Sequence, residues 1–599
     1  MKSSNHEGRI IHKLFRGSML VMTMAFAMAT LGMLVDGIVV GKFMGSVCVS
    51  ALGLCSPLFL IASAIGGAFA EGALPVCNRA MAEGDQKGAA AAFCLSVDII
   101  VVFAIILSAL CFIFRGEAAH ILGAADATGA LFVNTKAYIT GFLFGIPAIL
   151  GALLLTPFAQ ADGDQSSTIA SIMAMTISNI ALDFINVFSL KWGMLGIGLG
   201  TALSYYIGII ILATHFFKKD ASYHFNLLSV NIQDAGEILL TGLPGAVGRL
   251  LLPFRTIILN HLTLAVGGGA ALTAFAVQNS VSTFAVSPVL GIGAATLMMS
   301  SLLYGEEDRY GLEIMMRYSF RMAFLINGII AVFIFAASGA IASLFVSEID
   351  KAYEITKEAV RFYSLIIFFD SANGVYSNHL QAIGALKIAG FLNVLNTLVC
   401  ATAFSFIFTP FMGAKGVWAA YLVGEICVTV ITIIISIIRE KNVSTRLGDY
   451  LFLPRDFRID IDDELNRTIT NIEEVSALSK AAGVFCKSHG ADSKTAQAIS
   501  LAVEELASNV LLHGFDKKVK EPSVDLRLIK KGDTFTVRIR DDAQSFNVAK
   551  YAELISKERD DPTKELGIRL VVGLGAKLNY VSTLNTNNLI ITYQPKSTI

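Results

Sequence analysis

The chain has 599 residues, a net charge of −1 at pH 7 and a mean hydropathy of +0.65. Hydrophobic residues make up 54% and charged residues 16%, against about 25% charged in soluble domains. A soluble globule of this length is excluded, a disordered chain is excluded by the apolar content, and the near-neutral balance shows no basic footprint of a nucleic-acid binder.

The charge is unevenly spread. Residues 440–599 hold 23 Lys/Arg and 23 Asp/Glu, 46 of the chain's 93 charged side chains. A membrane-embedded first part therefore gives way to a soluble appendage within "REKNVSTR" (439–446). The eight cysteines include no CxxC pair, and seven sit in or beside apolar runs, so they read as small buried hydrophobes.

A membrane helix needs about 20 apolar residues. Twelve such stretches are expected: 14–40, 47–75, 90–114, 129–158, 167–190, 194–217, 237–263, 271–303, 316–346, 356–382, 387–409 and 414–438. The first is too long for a signal peptide and lacks a small-residue cleavage site, so it is read as retained. Lys and Arg number 13 in the loops on the side of the N-terminus and 7 on the other. Both termini are thus expected in the cytoplasm, where the tail meets ATP.

The chain repeats itself. "ALGLCSPLFLIASAIGGAFAEGALPVCNRAMAEGD" (51–85) lines up with "AFAVQNSVSTFAVSPVLGIGAATLMMSSLLYGEED" (274–308) at an offset of 223. A second echo pairs "GMLGIGLGTA" (193–202) with "GAKGVWAAYL" (413–422). Two six-helix bundles of one topology are expected, at 1–235 and 236–440, then a linker at 441–454 and a domain at 455–599. Repeated halves around a central cavity are a recurrent carrier plan with alternating access.

Charge inside an apolar span is costly unless it faces a cavity or a partner. Asp36 lies in the first span; Asn179 and Asp183 lie one turn apart on the fifth and share a face. These three can form one oxygen-lined pocket fit for Na⁺, or for H⁺. Asp370 stands in the tenth span, and Arg249 and Arg255 in the seventh. Two arginines beside a carboxylate would pair with it or receive an anion, at odds with a purely cationic substrate.

"LVDGIVVGKFMG" (34–45), "EGD" (83–85), "ADGD" (161–164), "SNIALDFI" (178–185) and "QAIGA" (381–385) together resemble the multidrug and toxic compound extrusion (MATE) transporters over about 430 residues. The resemblance implies efflux of organic, often cationic, compounds driven by inward Na⁺ or H⁺, with Asp36 on a family motif and Asp370 at a second acidic site. Arg249 and Arg255 depart from it, since this chain lacks the acidic residue some members carry on the seventh span.

The tail reads as a compact α/β domain. "DFRIDIDD" (456–463) is strand-like, 466–490 and 492–515 are helical with Asp492 or Ser493 as N-cap, 523–542 is a hairpin turning at Gly532-Asp533, and 567–594 is a helix followed by two strands. Glu505 and Asn509 lie at i and i+4 on one helix face, so an amide oxygen for Mg²⁺ stands beside a proton acceptor. Asp541 ends a strand, and Gly567 opens a helix whose amides can meet phosphate.

"LAVEELASNVLLHGF", "DDAQSF" and "ELGIRLV" resemble the boxes of the GHKL ATP-binding fold, anti-sigma-factor serine kinases in particular, over about 140 residues. The resemblance implies Mg-ATP, with Asn509 holding Mg²⁺, Glu505 as catalytic base and Asp541 on adenine. Ala543, Lys564 and Glu565 stand where small residues or glycine are usual. The tail thus fits either a serine/threonine kinase-like enzyme or a domain that only binds a soluble protein partner.

The fold class expected is a polytopic α-helical membrane protein with a C-terminal cytoplasmic α/β sandwich. The function expected is a secondary antiporter of organic solutes with a regulatory nucleotide-binding tail. The alternative is a signalling protein whose carrier half senses a ligand. An ATP-driven pump is disfavoured, because the chain has no GxxxxGK[ST] loop.

Overall fold

The structure is a computed structural model. It describes residues 8–599 apart from 83–85, 125–128, 163, 219–220, 222, 226–233, 441–446, 454–456, 458–462, 516–521, 545–576, 584–585 and 594–599, with backbone only for some others, 239–248 among them. It forms two compact units, Met19–Leu297 with Phe320–Val443, and Met1–Ser18 with Met298–Ser319 and Ser444–Ile599.

The first unit is helical. Among the described residues nine helices are long and apolar enough to cross a membrane, and ten when Ala130–Leu143 and Ile146–Gln160, bent by 52°, count as one span. The bend falls ahead of Pro147, which has no N–H to continue the ladder. Helices Arg9–Met44 and Ala352–Ala382 occupy the places of the first and tenth expected spans. The expected seventh and eighth spans differ in outline. Asp234–Ala285 runs as one element broken at Gly268 (φ 64°, ψ −162°), and a separate helix, Ser287–Gly305, follows. Apolar content placed the spans, but only backbone geometry shows where the break falls.

The repeat is written into the packing. Ser50 and Thr273, equivalent at the offset of 223, hydrogen-bond to each other at 2.7 Å. Gly53 packs on its equivalent, Ala276, so closely that a Cβ would overlap it. Equivalent positions meet themselves only at a two-fold axis, and small residues there let the backbones approach. In the second echo, Gly193 and Gly413 both take positive φ, 62° and 58°, the first opening its helix and the second just ahead of Lys415–Glu440.

In the second unit, five strands form an antiparallel sheet in the order β1-β2-β3-β5-β4: β1 Glu464–Ile469, β2 Val524–Lys531, β3 Thr534–Asp541, β4 Lys577–Thr583 and β5 Thr586–Tyr593. Helices Glu473–Ser488 and Ser493–Asn509 bury Leu478, Ile499 and Val503 against Leu526, Val537 and Ile591. The hairpin forms as expected, with Gly532 at φ 60°.

The expected start of the 466–490 helix is corrected: Glu464–Ile469 is a strand, while most of the expected strand at 456–463 lies outside the described residues. Thr468 and Ile469 are β-branched, and the helix is started later by a reciprocal cap. Glu474 N–H donates to Asn471 Oδ1 at 3.1 Å, and Thr470 N–H donates to the Glu474 carboxylate at 2.9 Å. Asp492 caps the next helix through Thr495 N–H at 2.6 Å.

Candidate functional sites

The N-terminal half holds a buried acidic pair. Helix Gln165–Ile185 is anchored by Asp164, whose carboxylate accepts from Ser167 N–H at 2.9 Å and also binds His215 at 2.8 Å and Lys218. Asn179 and Asp183 stand further along it, one turn apart and both buried, Asp183 fully so. The Asp36 carboxyl, from helix Arg9–Met44, lies within hydrogen-bonding reach of Asp183. Among the described residues, no donor meets Asp36 Oδ1 or either oxygen of Asp183, and the Asn179 amide nitrogen has no acceptor.

Glycines make the space. A Cβ on Gly32 would meet Asn179 Oδ1 at 3.0 Å, and one on Gly200 would meet Asp183 Oδ1 at 3.3 Å. Tyr138 and Tyr205 lie within electrostatic reach of Asp36. The three residues expected to form one pocket are therefore brought together.

The C-terminal half holds a second acidic pair in different company. Glu425 is 8% exposed on helix Lys415–Glu440. Asn373 donates to its carboxylate at 2.7 Å, and the Asn396 amide, turned nitrogen-first, donates at 2.8 Å. Thr429 fixes Asn373 through Oδ1 at 2.9 Å. Asn396 sits in a π-turn, Leu395–Val399, and such turns aim side chains that a regular helix would not. Asp370 lines an adjoining cavity of about 190 Å³ with Asn373, Asn393, Asn396 and Gln381.

Arg255 acts on both carboxylates electrostatically and places its guanidinium 5.0 Å over the Tyr421 ring. Arg249 does not join this cluster; its guanidinium lies against Gly67, where a Cβ would meet Cζ at 2.9 Å. Glu425 was not among the residues singled out from sequence. Its signal was available: a lone carboxylate near the middle of an apolar span whose other charges stand at its ends, the same rule that picks out Asp36.

In the tail, Asn509 donates through Nδ2 to Glu505 Oε1 at 3.2 Å, which leaves its carbonyl oxygen as the atom with Mg²⁺-ligand chemistry. A π-turn, Val510–Gly514, follows, and the Gly514 carbonyl accepts from Gln544 N–H at 2.9 Å, tying the end of this helix to the strand carrying Asp541. Asp541 is buried. Ala543 N–H and Asn587 Nδ2 both donate to its Oδ1, at 3.0 and 2.7 Å, leaving Oδ2 to accept from an exocyclic amine. Burial pushes this carboxyl up, and the Asn587 amide opposes that. Tyr580 Oη donates to Asn587 Oδ1 at 2.6 Å and orients the amide. Gly567 lies outside the described residues.

Comparison with known proteins then decides the family. The MatE family model matches twice, at residues 22–185 and 244–407, more than half of the chain. The chain belongs to the MATE family. Its C-terminal region is a histidine kinase-like ATPase domain, matched over 470–593.

Curated relatives include the multidrug export protein MepA of Staphylococcus aureus (strain bovine RF122 / ET3-1), 24% identical over 399 residues, 66% of this chain and 86% of that protein. MepA of Staphylococcus saprophyticus is 22% identical over 404 residues, with the same shares covered. Among solved structures, the inward-facing conformation of a multidrug resistance MATE transporter superposes with TM-score 0.63 at 23% identity, over 70% of this chain and 97% of that one. A MOP superfamily transporter from Pyrococcus furiosus, described as having a binding pocket of reversed polarity, superposes with TM-score 0.55 at 23% identity over 72% of this chain and 97% of that one. These superpositions show the fold of the MATE half, a multi-pass membrane protein.

Proposed function

We propose that this MATE protein is a secondary carrier that exports organic solutes in exchange for Na⁺ or H⁺ bound between Asp36 and Asp183. The observation that carries the reading is the set of buried carboxylate oxygens that meet no donor among the described residues. Two carboxylates this close repel one another when both are ionised. A proton shared between them relieves that repulsion, as does a sodium ion held by their oxygens with Asn179 Oδ1. Binding on one side of the membrane and release on the other would then power exchange.

Arg255 beside Asp370 and Glu425 favours a substrate with an anionic or zwitterionic group, while the MepA relatives are multidrug exporters by name. The Lys and Arg count in the loops supports both termini being cytoplasmic, and the Staphylococcus relatives support a bacterial cell membrane. Bundles at 1–235 and 236–440 and a tail at 455–599 are the corresponding boundaries.

The tail binds Mg-ATP in this reading. Asn509 Oδ1 would hold Mg²⁺, Asp541 Oδ2 would accept from adenine, and Glu505 would take the proton from an attacking hydroxyl. The nucleotide supplies the phosphoryl group; the chain's own residues bind, orient and accept the proton. Its role is regulatory, toward a soluble partner or toward the carrier itself.

Transport into vesicles with Na⁺ and H⁺ gradients imposed separately tests the first claim. Uptake that follows ATP and ignores both gradients overturns it. Calorimetry of the full-length protein with Mg-ATP tests the second: Asn509→Ala should weaken binding at least tenfold, whereas Glu505→Ala should keep it. Absence of heat at millimolar Mg-ATP in the wild type leaves the tail as a protein-binding domain.

A further inference from the structure

The open face of the sheet carries a charge cluster that neither proposed site uses. Strand alternation puts Asp525 and Arg527 of β2, Arg538 and Arg540 of β3, and Asn588 of β5 on the side away from the two helices. Arg527 and Arg538 are direct cross-strand partners, an arrangement that repels on its own. All three guanidiniums are buried, Arg540 with 0% exposure. Buried cations need anions and acceptors around them.

The anions come from the turn between helices Ser287–Gly305 and Arg309–Ala336, in the same compact unit. The Glu306 carboxylate accepts from Arg538 Nη1 at 2.5 Å and from Arg540. Asp308 accepts from Arg538 Nη2 at 3.0 Å, and its other oxygen caps the following helix at Gly311 N–H, 2.7 Å away. Arg527 donates to the main-chain carbonyls of Glu306 and Glu307 at 2.7 and 2.8 Å, while its Nε binds Glu464 at 2.6 Å. Lys531 binds the Glu307 carboxylate at 2.7 Å. Tyr304 stacks on Phe457 with centroids 4.8 Å apart.

The contact reads shape as well as charge. Glu307 takes φ 53°, and that bend turns two successive carbonyls toward one guanidinium. The matching stretch of the first repeat is Glu83-Gly84-Asp85, which has no side chain to offer where Glu307 meets Lys531.

We propose that the open face of the ATPase-like domain is a clamp for the carrier's own acidic turn, Glu306–Asp308, through which the domain restrains the connection between two membrane helices. This goes beyond the transport and nucleotide readings and depends on neither.

The test uses the full chain in lipid nanodiscs. Carbodiimide activates the Glu307 carboxylate, the Lys531 amine displaces the activated group, and an amide forms as the reagent leaves as its urea. The joined peptides should appear in wild type and be absent from Glu307→Gln. In the Glu306→Gln, Asp308→Asn variant the yield should fall at least fivefold. Amide exchange over 298–319 should then rise at least tenfold, with exchange over 493–509 unchanged. Should exchange over 493–509 rise too, the domain has lost its fold, and Glu307→Gln decides instead: faster exchange over 306–312 supports the clamp and unchanged exchange overturns it. No cross-link in the wild type, or a double variant with wild-type yield and exchange, also overturns it.

Discussion

The N-terminal half of the carrier buries an acidic pair, and the C-terminal half sets buried Glu425 near half-buried Asp370; the two keep different company. Asp36 and Asp183 face one another with donor-less oxygens. Glu425 receives two amide donors, and Arg255 acts on it and on Asp370. A repeated fold has thus produced one acidic pocket with no positive partner among the described residues and one with a guanidinium in electrostatic reach. The first needs an ion from outside; the second is compensated from within. The acidic turn at Glu306–Asp308 is the limiting case, held by three arginines.

The largest expected effect separates the two pairs. Asp36→Asn or Asp183→Asn should cut gradient-driven transport in reconstituted vesicles about a hundredfold, as loss of a charge that binds the coupling ion requires about 3 kcal/mol. Glu425→Gln should keep transport within about threefold, because amides rather than an ion satisfy that carboxylate. Equal loss in both halves would break the comparison.

Removing Arg255 should make the C-terminal pocket resemble the N-terminal one. Arg255→Ala removes the guanidinium that acts electrostatically on Asp370 and Glu425, and carboxylates in a low-dielectric setting are destabilised when a nearby positive charge is lost. The melting temperature in detergent should fall, and small organic cations should compete better for the pocket. A variant with wild-type stability and wild-type preference would show that Arg255 compensates nothing.

Acid titration sharpens the limiting case. Burial pushes the Asp308 carboxyl up, but Arg538, then Arg527, with the Gly311 N–H and Arg540, hold it at about 2, below its ordinary 3.8. Its contribution is therefore present above the ordinary value and lost as pH falls through about 2. That contribution is about 2 kcal/mol. Thermal unfolding followed between pH 5 and pH 2 should show it in wild type and not in Asp308→Asn.

The smallest effect tests the room around the first pair. In Gly32→Ala the new methyl sits 3.0 Å from Asn179 Oδ1. The amide must turn aside, so half-saturation by the coupling ion should rise a few-fold with maximal rate unchanged. An unaltered ion dependence would remove Asn179 from the site.

The amino-acid sequence by itself determined the membrane half, the soluble tail and the repeat, because apolar span length and charge distribution act locally along the chain. It also placed Asp36, Asn179 and Asp183 on two helices, and Glu505 and Asn509 on one turn of another, because helical period is a local property. It did not bring out Glu425, although a lone carboxylate in an apolar span was there to read. Tertiary structure alone decided the rest. Partners such as Asn373, Asn396 and Arg255 for Glu425, or Arg527, Arg538 and Arg540 for the turn at 306–308, lie up to 234 residues away in sequence. No periodicity encodes such pairs. The balance between a buried charge and its neighbours is settled only when distant elements pack, and it is that balance that separates an ion site from a satisfied carboxylate.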